Sequence, residues 1–476
     1  RVINHPYEFD MKNLCITFFP HEKISLEGEE DPVVVTTRRE TDGSFFVSAK
    51  VYDVYRETTA KPEPADEEHL VLSVTLYRLL SGILGFAPPW GVLYGVRPAK
   101  LMHRLCAQMG DDAAVAHFQT AFLTQKSKAE LAHEVMLHEN RSIARSGPKS
   151  FSLYVSIPFC PTRCAYCSFV SHSIEKTHKL MTPYVDLLLR ELEETSKYAK
   201  ELGLELATVY FGGGTPTTLS AQDLGRIFTT IEQNFDLSHL MEYTVEAGRP
   251  DTVTRERLEV IRAAGVQRIS INPQSFNDKV LEAIGRRHTA QQTLDAFALA
   301  RDCGFDHINM DFIAGLPEDD LPSFQRSIQT ALDLQAESIT VHTLALKTSA
   351  YMVTREQTFD LKDRLTVSNM VDYAGQTLHG AGYYPYYMYR QSKSLGNLEN
   401  VGWCKPGYDC LYNVYMMDET HTVLAVGAGA VTKLRGQNSG MIERIYNYKY
   451  PYEYIRDFDT LLERKKRIPG FYAEYD

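Results

Sequence analysis

The chain is poor in cysteine, has no long apolar run and carries no excess of positive charge. Its 476 residues include eight cysteines, too few for a disulfide scaffold. Three of them lie within positions 160–167, which favours metal ligation in a reducing compartment. No apolar segment approaches the roughly 20 residues that span a bilayer, and the first residues, RVINHPYEFDMKNL, lack the apolar centre of a signal peptide. We therefore expect a cytoplasmic protein with no membrane span.

The balance of charges argues against polyanionic partners. The 50 basic and 61 acidic side chains give a formal net charge of −11, so no overall positive field attracts nucleic acid or an anionic membrane. The composition is otherwise that of a soluble globular enzyme. We expect no nucleic-acid partner, and the length predicts two or three domains.

Changes in residue pattern divide the chain into three predicted domains. Strand-like alternation followed by helical periodicity predicts an N-terminal α+β domain over residues 1–147. A Gly-Pro break, SGPKS, separates it from an apolar strand-like run that opens the second domain, residues 148–350. The pattern then changes to a helical stretch, a Tyr-rich segment and a Gly/Ala-rich run, which we assign to a third domain, residues 351–476.

The middle domain alternates short β runs with amphipathic stretches of helical length. The β runs are SLYVSIP, LATVYFG, MEYTVEA, QRISIN, HINMDFI and SITVHTL. Six βα units in succession predict an α/β fold with a parallel sheet, either doubly wound or curled into a partial (β/α) barrel. Both arrangements place active-site groups at the carboxyl ends of the strands, so we expect one shared site. The unusual residues that follow the six runs are Cys160, the glycines at 212–214, Glu246, Gln274, Asp311 and Ala345.

Three cysteines share one loop after the first of these runs, in the order Cys160-Pro-Thr-Arg-Cys164-Ala-Tyr-Cys167. A structural zinc site needs four ligands, and no second CxxC or HxxxH motif is present. A three-cysteine loop fits instead a [4Fe–4S] cubane whose fourth iron stays open. That iron can chelate the amino and carboxylate groups of S-adenosylmethionine (SAM), pass an electron to the sulfonium and release a 5′-deoxyadenosyl radical. We therefore predict Cys160, Cys164 and Cys167 as metal ligands and catalytic residues.

The motifs resemble those of a known family. CxxxCxxC with Tyr166 resembles the signature of the radical SAM superfamily. YVSIPFC, YFGGGTPT, VEAGRPD, INPQSF, IGRRH and MDFIAGLP are similar to the oxygen-independent coproporphyrinogen dehydrogenase (HemN-like) family, and WGVLYGVRPAK and YYPYYMYRQSKSLGN are similar to its HemZ subgroup. The resemblance implies a partial (β/α)6 TIM-like radical SAM barrel with an N-terminal α+β domain and a C-terminal HemN-like extension.

The resemblance also implies SAM-binding residues. It assigns Gly213, Gly214 and Thr215 to the SAM amino group. In HemN-type enzymes the contacts are divided between two SAM molecules, and this chain has matches for both sets, so we expect one SAM or two. The remaining implied SAM contacts are Tyr154, Tyr166, Glu246, Gln274, Arg286, Asp311 and Ala345.

One position departs from the decarboxylating members of the family, which carry a further cysteine where this chain has Ser168-Phe169. The form CxxxCxxCxF is typical of the HemW haem chaperones and of the HemZ group. Our leading hypothesis is a radical SAM oxidoreductase that decarboxylates coproporphyrinogen III propionates to vinyl groups, with flavodoxin or ferredoxin as electron donor. A HemW-like haem-binding chaperone is the second hypothesis. A radical enzyme for methylation, cyclopropanation or tetrapyrrole ring opening is the third.

Other polar residues give weaker signals. Arg286 to His288 form one predicted cationic group, and Arg97 with Lys100 form another, each suited to a propionate. Histidines in strand patterns and isolated cysteines are expected in the core, and the Tyr-rich segment suits either a flat ligand or a domain interface. The residues expected in the core are Cys15, Cys106, Cys303, His307 and His342. Cys404 and Cys410 suit a metal site, a redox pair or chance proximity.

Overall fold

The computed structural model describes residues 1–20, 22–26, 31–167, 172–345, 361–391 and 393–476. The N-terminal part combines a sheet of order β1-β2-β3-β4 with helices. Its strands are Val2–Ile3 (β1), Val33–Arg39 (β2), Phe45–Val51 (β3) and Val54–Ala60 (β4). Its helices are Glu8–Phe18 (α1), Glu68–Leu84 (α2), Pro98–Met109 (α3), Asp111–Thr120 (α4) and Lys126–Ile143 (α5).

The elements of this N-terminal part belong to two different hydrophobic cores. The sheet packs with α1 and α2 around Phe18, Phe45 and Leu76, which are fully buried. Helices α3–α5 instead contribute to the core of the central sheet, through residues such as Met102 and Val135. The domain limits at residues 147 and 350 stay predictions. The packing shows that helices α3–α5 share a hydrophobic core with the central sheet.

The middle of the chain alternates strands and helices. Its strands are Ser150–Ile157 (β5), Phe159–Cys160 (β6), His172–Ser173 (β7), Glu205–Gly213 (β8), Glu242–Gly248 (β9), Arg268–Ile271 (β10), His307–Ala314 (β11) and Ser338–Thr343 (β12). Its helices are Ile174–Glu201 (α6), Ala221–Asn234 (α7), Arg255–Ala263 (α8), Asp278–Ala283 (α9), Ala290–Asp302 (α10) and Leu321–Asp333 (α11). Strands β5, β8, β9, β10, β11 and β12 are neighbours in that order and all parallel, which confirms the predicted succession of βα units.

Side chains alternate between the two faces of this sheet. Ile269 lies level with Val245 and Ile308 on neighbouring strands, and all three are fully buried in the apolar core. Ser270 lies level with Glu246 and Asn309 on the opposite face. The parallel sheet therefore has an apolar outer face and a polar inner face.

Local sequence signals explain where several of these helices begin. The residue before each accepts a hydrogen bond from a backbone N–H of the first turn, which would otherwise lack a partner. These N-cap residues are Ser220, Thr254, Asn277, Thr289 and Asp320. Four of these caps end the loop that follows a strand, and Thr289 ends the connection between α9 and α10.

The C-terminal part extends the same sheet on both sides. Its elements are Leu361–Gly380 (α12), Tyr384–Arg390 (β13), Glu399–Cys404 (β14), Leu411–Asp418 (α13), Thr422–Val426 (β15), Val431–Arg435 (β16), Ile442–Tyr446 (β17), Pro451–Arg456 (α14), Phe458–Lys465 (α15) and Arg467–Tyr475 (α16). Strand β14 pairs antiparallel with β12, and β15 pairs parallel with β5. The full order is β13-β14-β12-β11-β10-β9-β8-β5-β15-β16-β17.

A buried ion pair joins the C-terminal helices to α6. Lys465 Nζ lies 2.6 Å from Glu191 Oε1, and both side chains are fully buried. Glu191 also accepts hydrogen bonds of 2.7 Å from the backbone N–H of Gly427, from Asn447 and from the Tyr454 hydroxyl. Four donors therefore compensate one buried carboxylate, as burial of a charge requires.

Replacement of Lys465 by Met should destabilise the protein by about 3–5 kcal/mol, because it leaves the buried Glu191 carboxylate without its counter-charge. Chemical denaturation measures this free energy of unfolding. The adjacent Lys466→Met is the matched control, because Lys466 is exposed and forms an ion pair with the exposed Glu463. This substitution should change the free energy of unfolding by less than about 0.5 kcal/mol. Equal effects of the two substitutions would contradict the assigned role of the Glu191 network.

Candidate functional site

The three cysteines of the motif lie beyond the carboxyl end of β5. Cys160 ends the short strand β6, which pairs parallel with β7. Cys164 is buried, whereas Cys160 and Cys167 are partly exposed. The loop is held by a hydrogen bond from Ala165 N to Ile284 O at 3.0 Å, and Cys167 N donates to Cys164 O at 3.2 Å. The structure therefore brings the three predicted ligands together on one anchored loop.

The glycine-rich turn after β8 packs directly against this loop. Gly214 N donates to Ile157 O and Thr215 N donates to Phe159 O, each at 2.7 Å. A Cβ on Gly214 would lie 2.5 Å from Phe159 O, and Gly213 has a φ of +105°, a region that side chains disfavour. Thr215 Oγ1 contacts Cys160 Sγ at 3.5 Å. The glycines are thus required by the close approach of two backbone segments.

Arg249, which the sequence analysis did not single out, supports the loop from the end of β9. Its buried guanidinium binds Asp251 through two hydrogen bonds of 3.0 and 2.9 Å. It also donates to Thr162 Oγ1 at 2.7 Å, and it lies 4.0 Å from Cys164 Sγ. The VEAGRPD motif contains this arginine, so its place in that motif was the available signal.

Arg286 supports the other side of the loop. It donates to Tyr166 Oη at 3.2 Å and to Asn272 O at 2.6 Å. Arg287 instead points to the surface and pairs with Glu175, and burial lowers the pKa of His288 to about 3. The predicted compact cationic group of three is therefore wrong: of these three residues, Arg286 is the one that binds the cysteine loop.

Two carboxylates face each other on the inner side of the sheet. Glu246 accepts a 2.7 Å hydrogen bond from the Tyr210 hydroxyl. Burial raises the pKa of Glu246 to about 7. The negative charge of Asp311 also raises this pKa, whereas the hydrogen bond from Tyr210 lowers it. Burial would likewise raise the pKa of Asp311, but His342, 3.9 Å away, and Asn309 hold it below its usual value. His342 therefore contacts the site, although the sequence analysis expected it to lie in the core.

Gln274 lies beside Asp311, whereas Ala345 follows β12. Gln274 has a φ of +68°, which is costly for a residue other than glycine and is typical of functional sites. Its backbone bonds to Asp311 O at 2.9 Å and to Ile313 N at 3.2 Å. Ala345 forms an isolated bridge with Ser394 after β12.

Stacked tyrosines line one end of the space enclosed by the inner face of the sheet. We call this space the inner space and the stacked rings its floor. Tyr210 stacks on Tyr412 of α13 with ring centroids 4.4 Å apart, and Tyr154 stacks on Tyr412 at 5.9 Å. The buried Glu242 carboxylate accepts the backbone N–H of Leu411 at 2.6 Å and of Tyr412 at 3.3 Å, so it fixes the start of α13 below the stack.

The Tyr-rich segment joins this floor. Tyr386 and Tyr387 are buried in the same cluster as Tyr412, and Tyr389 Oη lies 3.2 Å from His342 Nδ1. The segment, which forms strand β13, therefore packs its tyrosines against this cluster, and its last tyrosine contacts His342.

Arg97 and Lys100 are engaged elsewhere. Arg97 donates to Glu419 at 2.9 Å, and Lys100 donates to Asp418 O at 2.8 Å. Both tie the N-terminal part to the end of α13. The substituted positions Ser168 and Phe169 lie outside the described residues. Among the helices of the described ranges, none has the length and apolar character to cross a membrane.

Within the described ranges, four buried polar atoms on or beside the inner face have no hydrogen-bond partner. They are Ser270 Oγ, Asn272 Oδ1, Arg268 Nε and Arg286 Nε. Buried polar groups are normally hydrogen-bonded, so these atoms, together with Glu246 and Asp311, fit a polar ligand inside the barrel. Three thiols on one loop fit an iron–sulfur cluster with one open iron. The residues present therefore fit both groups.

A parallel barrel with three cysteines on the loop after its first strand defines a class of protein. A family model described as "Radical SAM superfamily" matches residues 154–331. This match agrees with the site, because the matched residues begin at Tyr154 and include the cysteine loop and both inner carboxylates.

Comparison with known proteins narrows the class. The chain is 34% identical to the oxygen-independent coproporphyrinogen-III oxidase-like protein HemZ of Bacillus subtilis over 96% of this chain and 94% of that protein. It is 31% identical to the heme chaperone HemW of B. subtilis over 65% of this chain and 79% of that protein. The chain belongs to the radical SAM superfamily and, within it, to the HemN-like family. The resemblance expected from the motifs is thereby confirmed, and membership implies a [4Fe–4S] cluster and SAM.

A solved structure agrees with the fold. Coproporphyrinogen III oxidase (HemN) from Escherichia coli superposes with a TM-score of 0.51 at 22% identity, covering 68% of this chain and 72% of that chain. The similarity confirms the predicted TIM-like radical SAM barrel.

Replacement of Gly214 by Ala should cost about 1–3 kcal/mol, as overpacking does, and should lower the iron bound per chain, because the new Cβ would push the cysteine loop away. Thermal unfolding and iron analysis after anaerobic reconstitution measure both effects. Gly225→Ala is the matched control, since a Cβ there meets only Val260 Cγ1 at 3.7 Å in the interior of α7. Full iron binding by Gly214→Ala would contradict the proposed fit.

Replacement of Glu246 by Gln should stabilise the SAM-free protein increasingly as pH rises. The folded pKa of Glu246 is about 7 and the unfolded value is about 4.3, so ionisation opposes folding between these values. The stability difference should be absent near pH 4, grow through this range and level off above pH 7 at on the order of 2 kcal/mol. Urea unfolding at several pH values measures it, with the exposed Glu282→Gln as control. A pH-independent difference would count against the raised pKa.

Proposed function

We propose that the protein is a radical SAM oxidoreductase that decarboxylates propionate side chains of a tetrapyrrole, with coproporphyrinogen III as the leading substrate. The observation that carries the proposal is the position of the three cysteines, on an anchored loop that opens onto a polar inner space. The relationship to HemZ along nearly the whole chain supports the tetrapyrrole as substrate class.

In this proposal the predicted site residues divide into two groups. Cys160, Cys164 and Cys167 hold the cluster, and the inner-face residues hold one SAM or two. Bound cluster and SAM together supply a one-electron cleavage of SAM that gives the 5′-deoxyadenosyl radical. The SAM-binding residues of the proposal are Tyr154, Tyr166, Gly213, Gly214, Thr215, Glu246, Gln274, Arg286, Asp311 and Ala345.

The contacts already made by these residues limit how they can bind. The N–H groups of Gly214 and Thr215 donate to β5 and β6 carbonyls and are not available to the SAM carboxylate. The SAM ammonium is itself a donor, so at this turn it would need carbonyl or hydroxyl oxygens as acceptors. Glu246 and Asp311 offer carboxylate oxygens, which suit ribose hydroxyls and the positive sulfonium. The tyrosine floor below them excludes water from the inner space.

The proposed net reaction is an oxidation of each propionate. The side chain loses CO₂, one proton and two electrons and becomes a vinyl group. One electron and the proton leave as a hydrogen atom, which forms 5′-deoxyadenosine, and the second electron passes to an acceptor. A one-electron donor such as flavodoxin or ferredoxin reduces the cluster for each cleavage.

A haem-binding chaperone is the second candidate. Two observations favour it: the relationship to HemW, and the sequence Ser168-Phe169 where decarboxylating family members have a cysteine. In this case Cys160, Cys164 and Cys167 would still hold the cluster, but tetrapyrrole would be bound without conversion.

Anaerobic reconstitution with iron, sulfide, SAM and a reductant separates the two candidates. Incubation with coproporphyrinogen should yield 5′-deoxyadenosine and a product that has lost the mass of CO₂ and two hydrogens per converted propionate, both measured by mass spectrometry. Cys164→Ser should abolish both products, whereas Cys303→Ser, on the outer helices, should keep them. Unchanged coproporphyrinogen together with tight haem binding would overturn the oxidoreductase in favour of the chaperone, and 5′-deoxyadenosine formed only with another substrate would overturn the decarboxylation.

A further inference from the structure

A second group of metal-ligating side chains lies away from the barrel mouth, among α3, α4 and α5. Cys106 stands in the last turn of α3, Asp111 begins α4 and His133 lies within α5. One ligand atom from each, a sulfur, a carboxylate oxygen and an imidazole nitrogen, lies within 4.8 Å of the other two. The sequence analysis expected Cys106 only as a small core residue, because its partner His133 comes from a different helix.

The geometry suits a shared ion better than a hydrogen bond. His133 Nε2 lies 3.1 Å from Asp111 Oδ2, yet this nitrogen is buried and makes no hydrogen bond to any part of the chain that the structure describes. A tetrahedral zinc ion bonded to both atoms at about 2.0–2.1 Å would hold them roughly 3.3 Å apart. The observed separation is therefore close to the edge of such a tetrahedron.

A backbone turn positions two of the three ligand side chains. Gly110, with a φ of +85°, forms the tight turn between α3 and α4, and its N–H donates to Cys106 O at 2.9 Å. This turn fixes Cys106 and Asp111 on the same side, and α5 packs against both helices and brings His133 to them. A mixed sulfur, nitrogen and oxygen set is the ligand chemistry of zinc rather than of magnesium or calcium.

We propose that Cys106, Asp111 and His133 bind one Zn²⁺ ion, with water in the fourth position. The Asp111 side chain is 55% exposed, which leaves access for that water and for entry of the ion. The ion would cross-link three helices that share the barrel core, and its binding is independent of the proposed reaction at the cluster.

The test uses the full chain with its cluster reconstituted anaerobically, equilibrated with zinc sulfate and then dialysed. Elemental analysis should find one zinc per chain in addition to the iron. Zinc K-edge absorption should show one sulfur at about 2.3 Å with nitrogen and oxygen ligands near 2.0–2.1 Å. Zinc captured by the cluster loop would instead show three sulfurs, and that result would overturn the proposal.

Variants assign the ion to its ligands. Cys106→Ala, His133→Gln and Asp111→Asn should each weaken zinc binding by about tenfold or more, whereas Cys303→Ala should retain it. Iron content and circular dichroism check that each variant folds. Asp111→Asn alters an exposed side chain, so it decides the question if Cys106→Ala fails to fold. Absence of zinc from the dialysed protein, or its retention in Asp111→Asn, would overturn the proposal.

Discussion

The hydrogen bonds that join the ends of β5 and β6 to the turn after β8 determine the position of the cysteine loop. Gly214 and Thr215 donate to Ile157 and Phe159, and no side chain larger than hydrogen fits at Gly214. Because β5 and β8 are parallel neighbours, this junction places Cys160 at the mouth of the barrel. Arg249 from the end of β9 and Ile284 O after α9 then attach the rest of the loop. The loop is thereby fixed by backbone hydrogen bonds from two βα units and by the Arg249 side chain from a third.

The polar inner face of the barrel lowers the stability of the fold when no ligand is bound. It buries two carboxylates and an arginine, and several of its polar atoms have no hydrogen-bond partner among the described residues. Such groups lower stability, and the surrounding structure compensates with apolar packing on the outer face and with ion pairs such as Lys465–Glu191. A ligand that supplies hydrogen-bond partners and positive charge would recover part of this free energy. The polarity of the interior is therefore better explained by binding than by folding.

The sequence predicted features that depend on local pattern and missed those that depend on distant contacts. Strand periodicity placed the βα units and singled out Glu246 and Asp311 as carboxylates in apolar strand patterns. Parallel strands bring such residues to one edge of the sheet, although the structure places both inside their strands rather than after them. His342 and Tyr412 carry no local signal that separates a core residue from one at the site. Their roles arise from the curvature of the sheet and from the path of α13. The joining of β14 and β15 to opposite sides of the barrel sheet likewise requires the three-dimensional structure.

The C-terminal part limits how a substrate can reach the cluster. Helix α13 is fixed by the buried Glu242, and its Tyr412 stacks under Tyr154 and Tyr210. The lower part of the inner space is therefore filled by aromatic rings held on a structured helix. If the substrate is the tetrapyrrole proposed above, it is too large to enter through such a floor and would approach from the end where the cysteine loop lies. Under the proposed function, residues around that mouth would then select the substrate, because the aromatic floor leaves the other end closed.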